Sequence, residues 1–248
     1  MDEAVLTNFY NQEPIKEIVA GPPVLRFSIA DVPNILFTSD IHLQHTNIIK
    51  FVNRPYGCVE DMNVDLVNKW NESVDEIGCD KAIVIHCGDF VFGTKRAYNF
   101  YINRLLGSKI YMVIGNHDIK NVISQYTVNT HADSRVVWNN EYLVEIYDKN
   151  KKKLTLFTVT HHPCRSFNGS FNLHGHLHST PDLANYGGSD VEIARELRDI
   201  GDYYDVGVDA NGYKPVKLVD ILLGNTISPK MKNIDYDFWN NKLTDILS

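Results

Sequence analysis

The sequence predicts a single α/β domain. Short apolar runs typical of strands alternate with amphipathic helical segments, and polar residues follow the carboxyl ends of several predicted strands. The 248 residues are enough for one large domain with a sizeable core. A content of 44% hydrophobic and 22% charged residues is ordinary for a globular protein and argues against a disordered chain.

The N-terminal segment is mixed and polar, and Gly21-Pro22-Pro23 interrupts it. We predict that residues 1–33 form an extension that leads into the domain. Asp2 and Glu3 stand where a signal peptide would carry a basic stretch, so we expect no signal peptide. No apolar run approaches the roughly 20 residues that a membrane span needs. We therefore expect a cytoplasmic protein without a membrane partner.

The regular elements are predicted to begin with a buried strand over residues 35–38. A helix over residues 59–77 is indicated by apolar residues at every fourth position, namely Met62, Leu66, Trp70 and Val74. The later predicted elements are strands over 82–85, 110–114, 142–147 and 154–160, a short strand over 171–173, and helices over 95–106 and 235–247. The helix between the first two strands favours a right-handed crossover between parallel strands.

Composition narrows the function classes. Four widely spaced cysteines without a CxxC motif predict free thiols in a reducing compartment. The chain has 24 basic and 31 acidic residues, a formal net charge of -7, which argues against a long nucleic acid bound along a wide surface. The sequence also contains 10 histidines, several of them clustered.

Five segments contain most of the residue types that bind metals. They are Asp40-Ile41-His42, Gly88-Asp89, Gly115-Asn116-His117-Asp118, Thr160-His161-His162-Pro163 and Gly175-His176-Leu177-His178. Each lies at or near the end of a predicted strand, where ligand sites of α/β sheets are found. DxH and HxH are the stronger signals, because alternate residues of an extended segment point the same way and can chelate one ion. Each segment alone is weak evidence, but the ordered set is strong.

These five blocks resemble the calcineurin-like metallophosphoesterases, whose pattern is DxH, GD, GNH[DE], H and GHxH. The resemblance covers roughly residues 35–180. Similarity to short phage and bacterial members extends it to about residue 220, through Phe37-Thr38-Ser39-Asp40, His45-Thr46-Asn47-Ile48-Ile49, Asn53-Arg54-Pro55, Val206-Gly207-Val208-Asp209 and Tyr213-Lys214-Pro215-Val216. Leu43-Gln44 departs from the Phe-Gly expected there. The resemblance implies a four-layer sandwich of two facing mixed β-sheets flanked by helices, over residues 34–224, with residues 225–248 as a helical tail packing on it.

The resemblance also implies a site for two divalent metal ions. The implied ligands are Asp40, His42 and His178 for the first ion, Asn116, His161 and His176 for the second, and Asp89 as the bridge. The corresponding segment of the family reads Ser/Thr-His-Tyr-Pro. The resemblance therefore implies that His161 is the ligand and that His162 takes the position of the tyrosine. Such ligands suit manganese, zinc, iron and nickel, and manganese is favoured for activity.

The charges of these ligands fit an anionic substrate. Two divalent ions bring about +4, two carboxylates -2 and a bridging hydroxide -1, which leaves about +1 for a phosphoester. Paired ions lower the pKa of a bridging water and hold the phosphoryl oxygens during in-line attack. A site of this kind needs no serine or cysteine nucleophile.

Five further residues are predicted near the substrate. His117 is expected to stay off the metals and protonate the leaving alkoxide. Asp118 either orients His117 or caps a helix over residues 119–125. His45, Asn47 and Arg54 are predicted to contact the substrate. Arg54 would bind a phosphate oxygen in a forked bond, or else form a structural salt bridge.

The function predicted from the sequence is metal-dependent hydrolysis of a phosphoester. The substrate would be small or nucleotide-like, and the enzyme a phosphodiesterase or phosphatase, working in the host cytoplasm if it is phage-encoded. One alternative is a nuclease that processes nucleic-acid ends, and another is a non-catalytic scaffold with the same fold. The sequence makes no prediction of the oligomeric state.

Overall fold

The computed structural model describes residues 21–121, 133–181, 183 and 189–247, which form two five-stranded mixed sheets. The first sheet has the strand order β1 (Val24–Ser28), β6 (Tyr142–Tyr147), β7 (Lys153–Val159), β8 (Phe171–His174) and β9 (Tyr203–Asp205). The second has the order β10 (Val216–Lys217), β2 (Ile35–Thr38), β3 (Ile83–His86), β4 (Lys109–Val113) and β5 (Val136–Asn139). Only β6–β7 and β10–β2 pair antiparallel among these strands. The predicted architecture of two mixed sheets flanked by helices is confirmed.

The helices fill the connections between the strands. They are a 3-10 helix (Ile29–Asn34), α1 (Ile48–Phe51), α2 (Val59–Asp75), α3 (Lys95–Ile102), α4 (Asn116–Asn121), α5 (Ser189–Ile200), α6 (Leu218–Leu223) and α7 (Tyr236–Leu247). The predicted helix over 59–77 and the predicted strands of both sheets match these bounds to within one or two residues. Among the described residues, no helix is both long and apolar enough to cross a bilayer.

Two hydrophobic cores lie on opposite faces of the second sheet. Ile35 and Phe37 of β2 belong to the core that also contains Val144 and Phe157 from the first sheet. Leu36, between them in sequence, belongs to the core that contains Trp70 of α2. Successive strand residues point to opposite faces, so a strand buried on both faces must be apolar at every position. This explains the unbroken apolar run that predicted β2.

A strand of the first sheet lies within the predicted N-terminal extension. Strand β1 pairs in parallel with β6 over five residues, so residues 24–28 belong to the first sheet, and the 3-10 helix Ile29–Asn34 connects them to β2. The sequence gives little sign of this strand, because it is a half-exposed edge strand with Arg26 at its centre. Its partner also lies more than a hundred residues away in the chain. Residues 1–20 of the predicted extension lie outside the described residues.

The C-terminal segment packs on the domain through α7. Trp239 and Leu243 of this helix are buried in the core between the two sheets. The predicted helix over residues 119–125 corresponds in part to α4, which begins earlier, at Asn116. Residues 122–125 of that prediction lie outside the described residues.

Candidate metal centre

The predicted metal ligands meet where strands of both sheets end. Asp40 follows β2, Asp89 follows β3, and Asn116 begins α4 a few residues after β4. His161 follows β7 and His176 follows β8, so the first sheet contributes these two residues, and the second sheet contributes the other three. The carboxyl ends of parallel strands lie at one edge of a sheet, which brings residues far apart in sequence into one site.

The backbone of these segments is left-handed at the ligand positions. Positive φ angles between 49° and 70° occur at Asp40, His42, Asp89, His176 and His178. The DxH and HxH segments therefore do not have the extended backbone that the sequence-based prediction assumed. Residues other than glycine rarely adopt this conformation, and surrounding contacts must hold it. Among those contacts, the N–H of Asp40 donates to Gly88 O at 2.9 Å and that of His42 to Asp89 O at 3.0 Å.

Two motif glycines are required by close approach of the loops. A Cβ at Gly115 would collide with the carboxylate of Asp89, and one at Gly175 would collide with Ser39 and the carboxylate of Asp40. Any larger residue would push these carboxylates out of place. The glycines of GNH and GHxH thus set the position of the two acidic ligands.

Asp40, His42 and His178 form the first group of converging ligand atoms. Asp40 Oδ1 lies 3.9 Å from Nε2 of His42 and 3.9 Å from Nε2 of His178. Asp40 Oδ1 and His42 Nε2 are buried and have no hydrogen-bond partner among the described residues. Buried polar atoms are almost always paired, so these atoms fit a cation that both can bind.

His161 and Asn116 form the second group. His161 Nδ1 lies 2.8 Å from the carbonyl of Cys87, which can only accept, so Nδ1 carries the proton. In the neutral ring, Nε2 then presents a lone pair to Asn116 Oδ1 at 2.9 Å and to Asp89 Oδ2 at 3.5 Å. The ring of His176 lies 5.1 Å from that of His161. His161 Nε2, Asn116 Oδ1 and Asp89 Oδ2 are all electron-rich, and a cation between them would stabilise atoms this close together.

Asp89 lies between the two groups. Its Oδ2 is 3.5 Å from His42 Nε2 and 3.5 Å from His161 Nε2. Its Oδ1 accepts the backbone N–H of His117 at 2.9 Å. One carboxylate oxygen is therefore equally distant from a ligand nitrogen of each group, as a bridging ligand requires.

A family model described as calcineurin-like phosphoesterase matches residues 33–241. The chain belongs to the calcineurin-like phosphoesterase family. This confirms the resemblance drawn from the five motif blocks, and it implies metal-dependent hydrolysis of phosphoesters.

The chain is also similar to two further proteins. An uncharacterized protein of Methanocaldococcus jannaschii is 31% identical over 188 residues, which cover 74% of this chain and 86% of that protein. Among solved structures, a protein of unknown function from Aquifex aeolicus has 19% identity and a TM-score of 0.48, over 73% of this chain and 94% of that one.

In this calcineurin-like phosphoesterase, Arg54 is not available to a substrate, which corrects one prediction. Its side chain is fully buried, and it binds the carboxylate of Asp209 through Nε at 2.9 Å and Nη2 at 2.8 Å. The remaining N–H groups donate to Ile41 O, Asp40 O and Met62 Sδ. All five donors of the guanidinium are thus used inside the protein. The alternative of a structural salt bridge is the correct one.

Asp209 is a site residue to which the sequence assigned no chemistry. Besides Arg54, its Oδ2 accepts from Nδ1 of His178 at 2.7 Å, which leaves His178 Nε2 directed to the first group. Burial alone would raise the pKa of Asp209, but Arg54 and His178 outweigh it and hold the pKa at about 2. A carboxylate that fixes the tautomer and orientation of a ligating histidine is a common feature of metal sites. The segment Val206-Gly207-Val208-Asp209 was the sequence signal for it.

Asp118 connects two of the loops that carry the predicted ligands. It is fully buried, and its carboxylate accepts the backbone N–H groups of Asp89 at 2.7 Å, Phe90 at 3.1 Å and Gly115 at 2.9 Å. The contact to Gly115, just before α4, resembles half of a capping box. Asp118 therefore joins the GD and GNH loops and caps α4, which begins at Asn116 and not at residue 119, while an effect on the orientation of His117 stays a prediction. Burial raises its pKa to about 7, against the effect of these three N–H groups.

His117 lies at the opening of the site. Its Nε2 is 4.0 Å from Asp89 Oδ2, and its side chain is 36% exposed. His45 is buried beside it, with the two ring centres 5.9 Å apart. Asn47 is exposed at the start of α1, where its carbonyl accepts the N–H groups of Lys50 and Phe51. Substrate contacts of His45 and Asn47 stay predictions.

The neighbouring histidines His161 and His162 differ in burial. His161 is 3% exposed and faces Asp89, whereas His162 is exposed. The ring of His162 lies 4.0 Å from that of His176, and its ligand atom is within 4.8 Å of those of His161 and His176. His161 thus occupies the inner position, and His162 is close enough to join the second group.

Burial prepares these side chains for a metal ion. It lowers the pKa of His42 and, together with nearby histidines, lowers that of His176 to about 3, so both rings are neutral and have lone pairs to donate. Burial raises the pKa of Asp40 to about 6, because the metal-free site destabilises its charged form. A bound cation would remove that cost.

We expect added manganese to stabilise the chelator-treated protein, and to do so more at pH 7.5 than at pH 5. An ion at 100 times its dissociation constant adds about 2.7 kcal/mol, which raises Tm by roughly 5–10 °C for a chain of this size. At pH 5 the carboxyl of Asp40, with a pKa of about 6, is mostly protonated, so the ion must first displace a proton. Thermal denaturation followed by circular dichroism measures this.

The control variant for that experiment is Asp40→Asn, which cannot lose a proton. It should bind manganese more weakly and lose part of the pH dependence. Equal shifts of Tm in the parent protein at both pH values would contradict the role of Asp40.

Proposed function

We propose that this protein hydrolyses phosphoesters at a site for two divalent metal ions. The observation that carries the proposal is the position of Asp89 Oδ2, 3.5 Å from both His42 Nε2 and His161 Nε2. The residues that would hold the ions are Asp40, His42 and His178 for the first, Asn116, His161 and His176 for the second, and Asp89 between them. When bound, two such ions neutralise phosphoryl oxygens and activate a water for in-line attack.

The proton for the leaving group is assigned to His117. The backbone N–H of His117 is held by Asp89 Oδ1, which fixes its position relative to the bridging carboxylate. Its ring lies 5.1 Å from that of His42 and is partly exposed, so it borders both the metal groups and the opening. An imidazole in this place can donate a proton to a leaving alkoxide.

The substrate is proposed to be a small phosphoester, and a nucleotide in particular. The formal net charge of -7 disfavours a long polyanion held along the protein surface. It does not disfavour a small phosphoester, because the metal ions supply positive charge at the place where the phosphate binds. Manganese is the ion proposed for activity, since the side-chain oxygens of Asp40, Asp89 and Asn116 suit it, while the imidazoles of the set also suit zinc, iron and nickel.

Hydrolysis is tested with a panel of substrates and metals. Bis-para-nitrophenyl phosphate, para-nitrophenyl phosphate, and linear and cyclic nucleotides are each offered with manganese, zinc, iron(II) or nickel. We expect turnover with manganese that a chelator abolishes and added manganese restores. Protein that binds metal, as measured by elemental analysis, and yet hydrolyses no substrate with any ion would overturn the proposal in favour of a non-catalytic scaffold.

A further inference from the structure

Three aromatic rings lie at the opening of the site, two of them beside His117. They belong to Phe51 at the end of α1, to His45 in the loop after β2, and to Phe92 in the loop after β3. We call these three residues the aromatic wall. Ring centres are 4.2 Å apart for His45 and Phe92 and 6.2 Å apart for His45 and Phe51. The ring of Phe92 is 5.7 Å from that of His117, so the wall adjoins the proposed proton donor.

The phenylalanines of the wall are exposed. Phe51 is 71% exposed and Phe92 is 40% exposed. A single exposed apolar side chain is common on protein surfaces and needs no explanation. Here, however, two exposed phenylalanines, one at the end of α1 and one in the loop after β3, flank His45 at the opening of a candidate metal centre. Apolar rings beside a few polar groups are typical of ligand sites.

Backbone contacts fix the position of the wall. The N–H of Phe92 donates to Leu43 O at 2.7 Å, and the N–H of Leu43 donates to Phe90 O at 3.1 Å. The loop that carries Phe92 is thus joined to the loop that carries Asp40 and His42. His45 Nδ1 accepts the N–H of Ile48 at 3.2 Å, which orients its ring and leaves Nε2 as the donor. Because its backbone is held in place, the wall loses little entropy when a ligand binds.

We infer that the aromatic wall binds a planar aromatic group on the leaving-group side of the substrate, and that this group is a nucleobase. The inference rests on the proposed function, because the phosphoryl group is placed at the metal ligands. If His117 protonates the leaving oxygen, the leaving alcohol lies beside His117 and therefore beside Phe92. A nucleoside in that position can stack its base on the ring of Phe92. Stacking of a base on an aromatic side chain contributes roughly 5- to 150-fold in affinity.

The test compares two ligands that differ only in the base. They are the non-hydrolysable methylenephosphonate analogues of adenosine 5′-monophosphate and of ribose 5-phosphate. Their dissociation constants are measured by isothermal titration calorimetry with the manganese-loaded, full-length protein. We expect the adenosine analogue to bind at least fivefold more tightly. In Phe92→Ala the two constants should agree within about twofold, with that of the ribose analogue unchanged.

A matched control is Phe100→Ala. Phe100 lies on α3 and is 48% exposed, so this variant also removes an exposed phenylalanine, but one whose ring contacts are with Tyr101 and Arg104. It should keep the full preference for the adenosine analogue. Phe92→Tyr should keep it as well, because the ring remains.

Three outcomes would overturn the inference. They are equal affinity of the parent protein for the two analogues, no binding of either, and a preference that survives in Phe92→Ala. The proposed function is judged separately by turnover. A preference for the base without hydrolysis would support the aromatic subsite and contradict the proposed enzyme activity. Hydrolysis without a preference for the base would support the activity and contradict the subsite.

Discussion

Asp89→Asn is expected to lower the occupancy of both metal positions and to reduce phosphoester turnover by more than a hundredfold. Asp89 Oδ2 lies at 3.5 Å from ligand nitrogens of both groups, so its charge is shared by the two positions. Loss of a residue that only supports a ligand typically costs 10- to 100-fold in metal affinity or activity. Loss of the charge on a bridging ligand should cost more.

The asparagine variant removes the negative charge of Asp89 and keeps the shape of the side chain. Its Oδ1 can still accept the N–H of His117, so the local backbone contact at 2.9 Å is retained. Glu145→Gln serves as the matched control, because Glu145, on β6, is also a largely buried carboxylate but is bound by Arg26, Tyr147 and Lys153, none of them a proposed metal ligand. Elemental analysis after desalting measures the metal content. A content in Asp89→Asn equal to that of the control would remove Asp89 from the bridging position.

The strands that carry the site could be predicted from the sequence because they are buried on both faces. Leu36 and Phe37 pack into different cores, and such strands read as continuous apolar runs. Strand β1 could not be predicted, since Val24–Ser28 is half-exposed and gains its structure from pairing with β6. A pairing between residues so distant in the chain leaves no local signal.

Supporting residues were harder to predict than the proposed ligands. Motif spacing indicates Asp40, His42 and Asp89 as proposed ligands. The pair of Arg54 and Asp209 is 155 residues apart in sequence, and only the fold shows that Arg54 serves Asp209 and not a substrate. The contacts of Asp118 could not be predicted for a similar reason, because its partners are backbone N–H groups of Asp89, Phe90 and Gly115. Residue type does not identify a contact of that kind.

The left-handed backbone at the ligands is a further property that residue types do not predict. Histidine and aspartate at positive φ are uncommon, and the conformation persists only where contacts from other segments enforce it. At Asp40 and His42 those contacts come from the loop after β3, through Gly88 and Asp89. The GD block therefore supplies a ligand and also sets the backbone of the DxH block.

His117→Ala is expected to retain both metal positions and to lose 10²–10⁴-fold in rate on substrates with poor leaving groups, the usual scale for loss of a general acid. His117 Nε2 is 4.0 Å from Asp89 Oδ2, and its side chain is 36% exposed, whereas the proposed ligand His42 is buried. Removing it leaves the ligand atoms of both groups in place. Steady-state kinetics on an alkyl phosphoester, with metal content measured on the same samples, checks this.

The leaving group separates proton donation from any other role of His117. An alkoxide leaves slowly unless it is protonated, whereas para-nitrophenolate is stable as an anion and gains little from an acid. The loss of rate in His117→Ala should therefore be much smaller for para-nitrophenyl esters than for alkyl esters of the same phosphate. Equal losses on both would indicate that His117 binds the phosphoryl group, and a variant as active as the parent on alkyl esters would remove it from the reaction. Since metal loss would slow both ester types, unequal losses at unchanged metal content place the effect of His117 on the leaving oxygen.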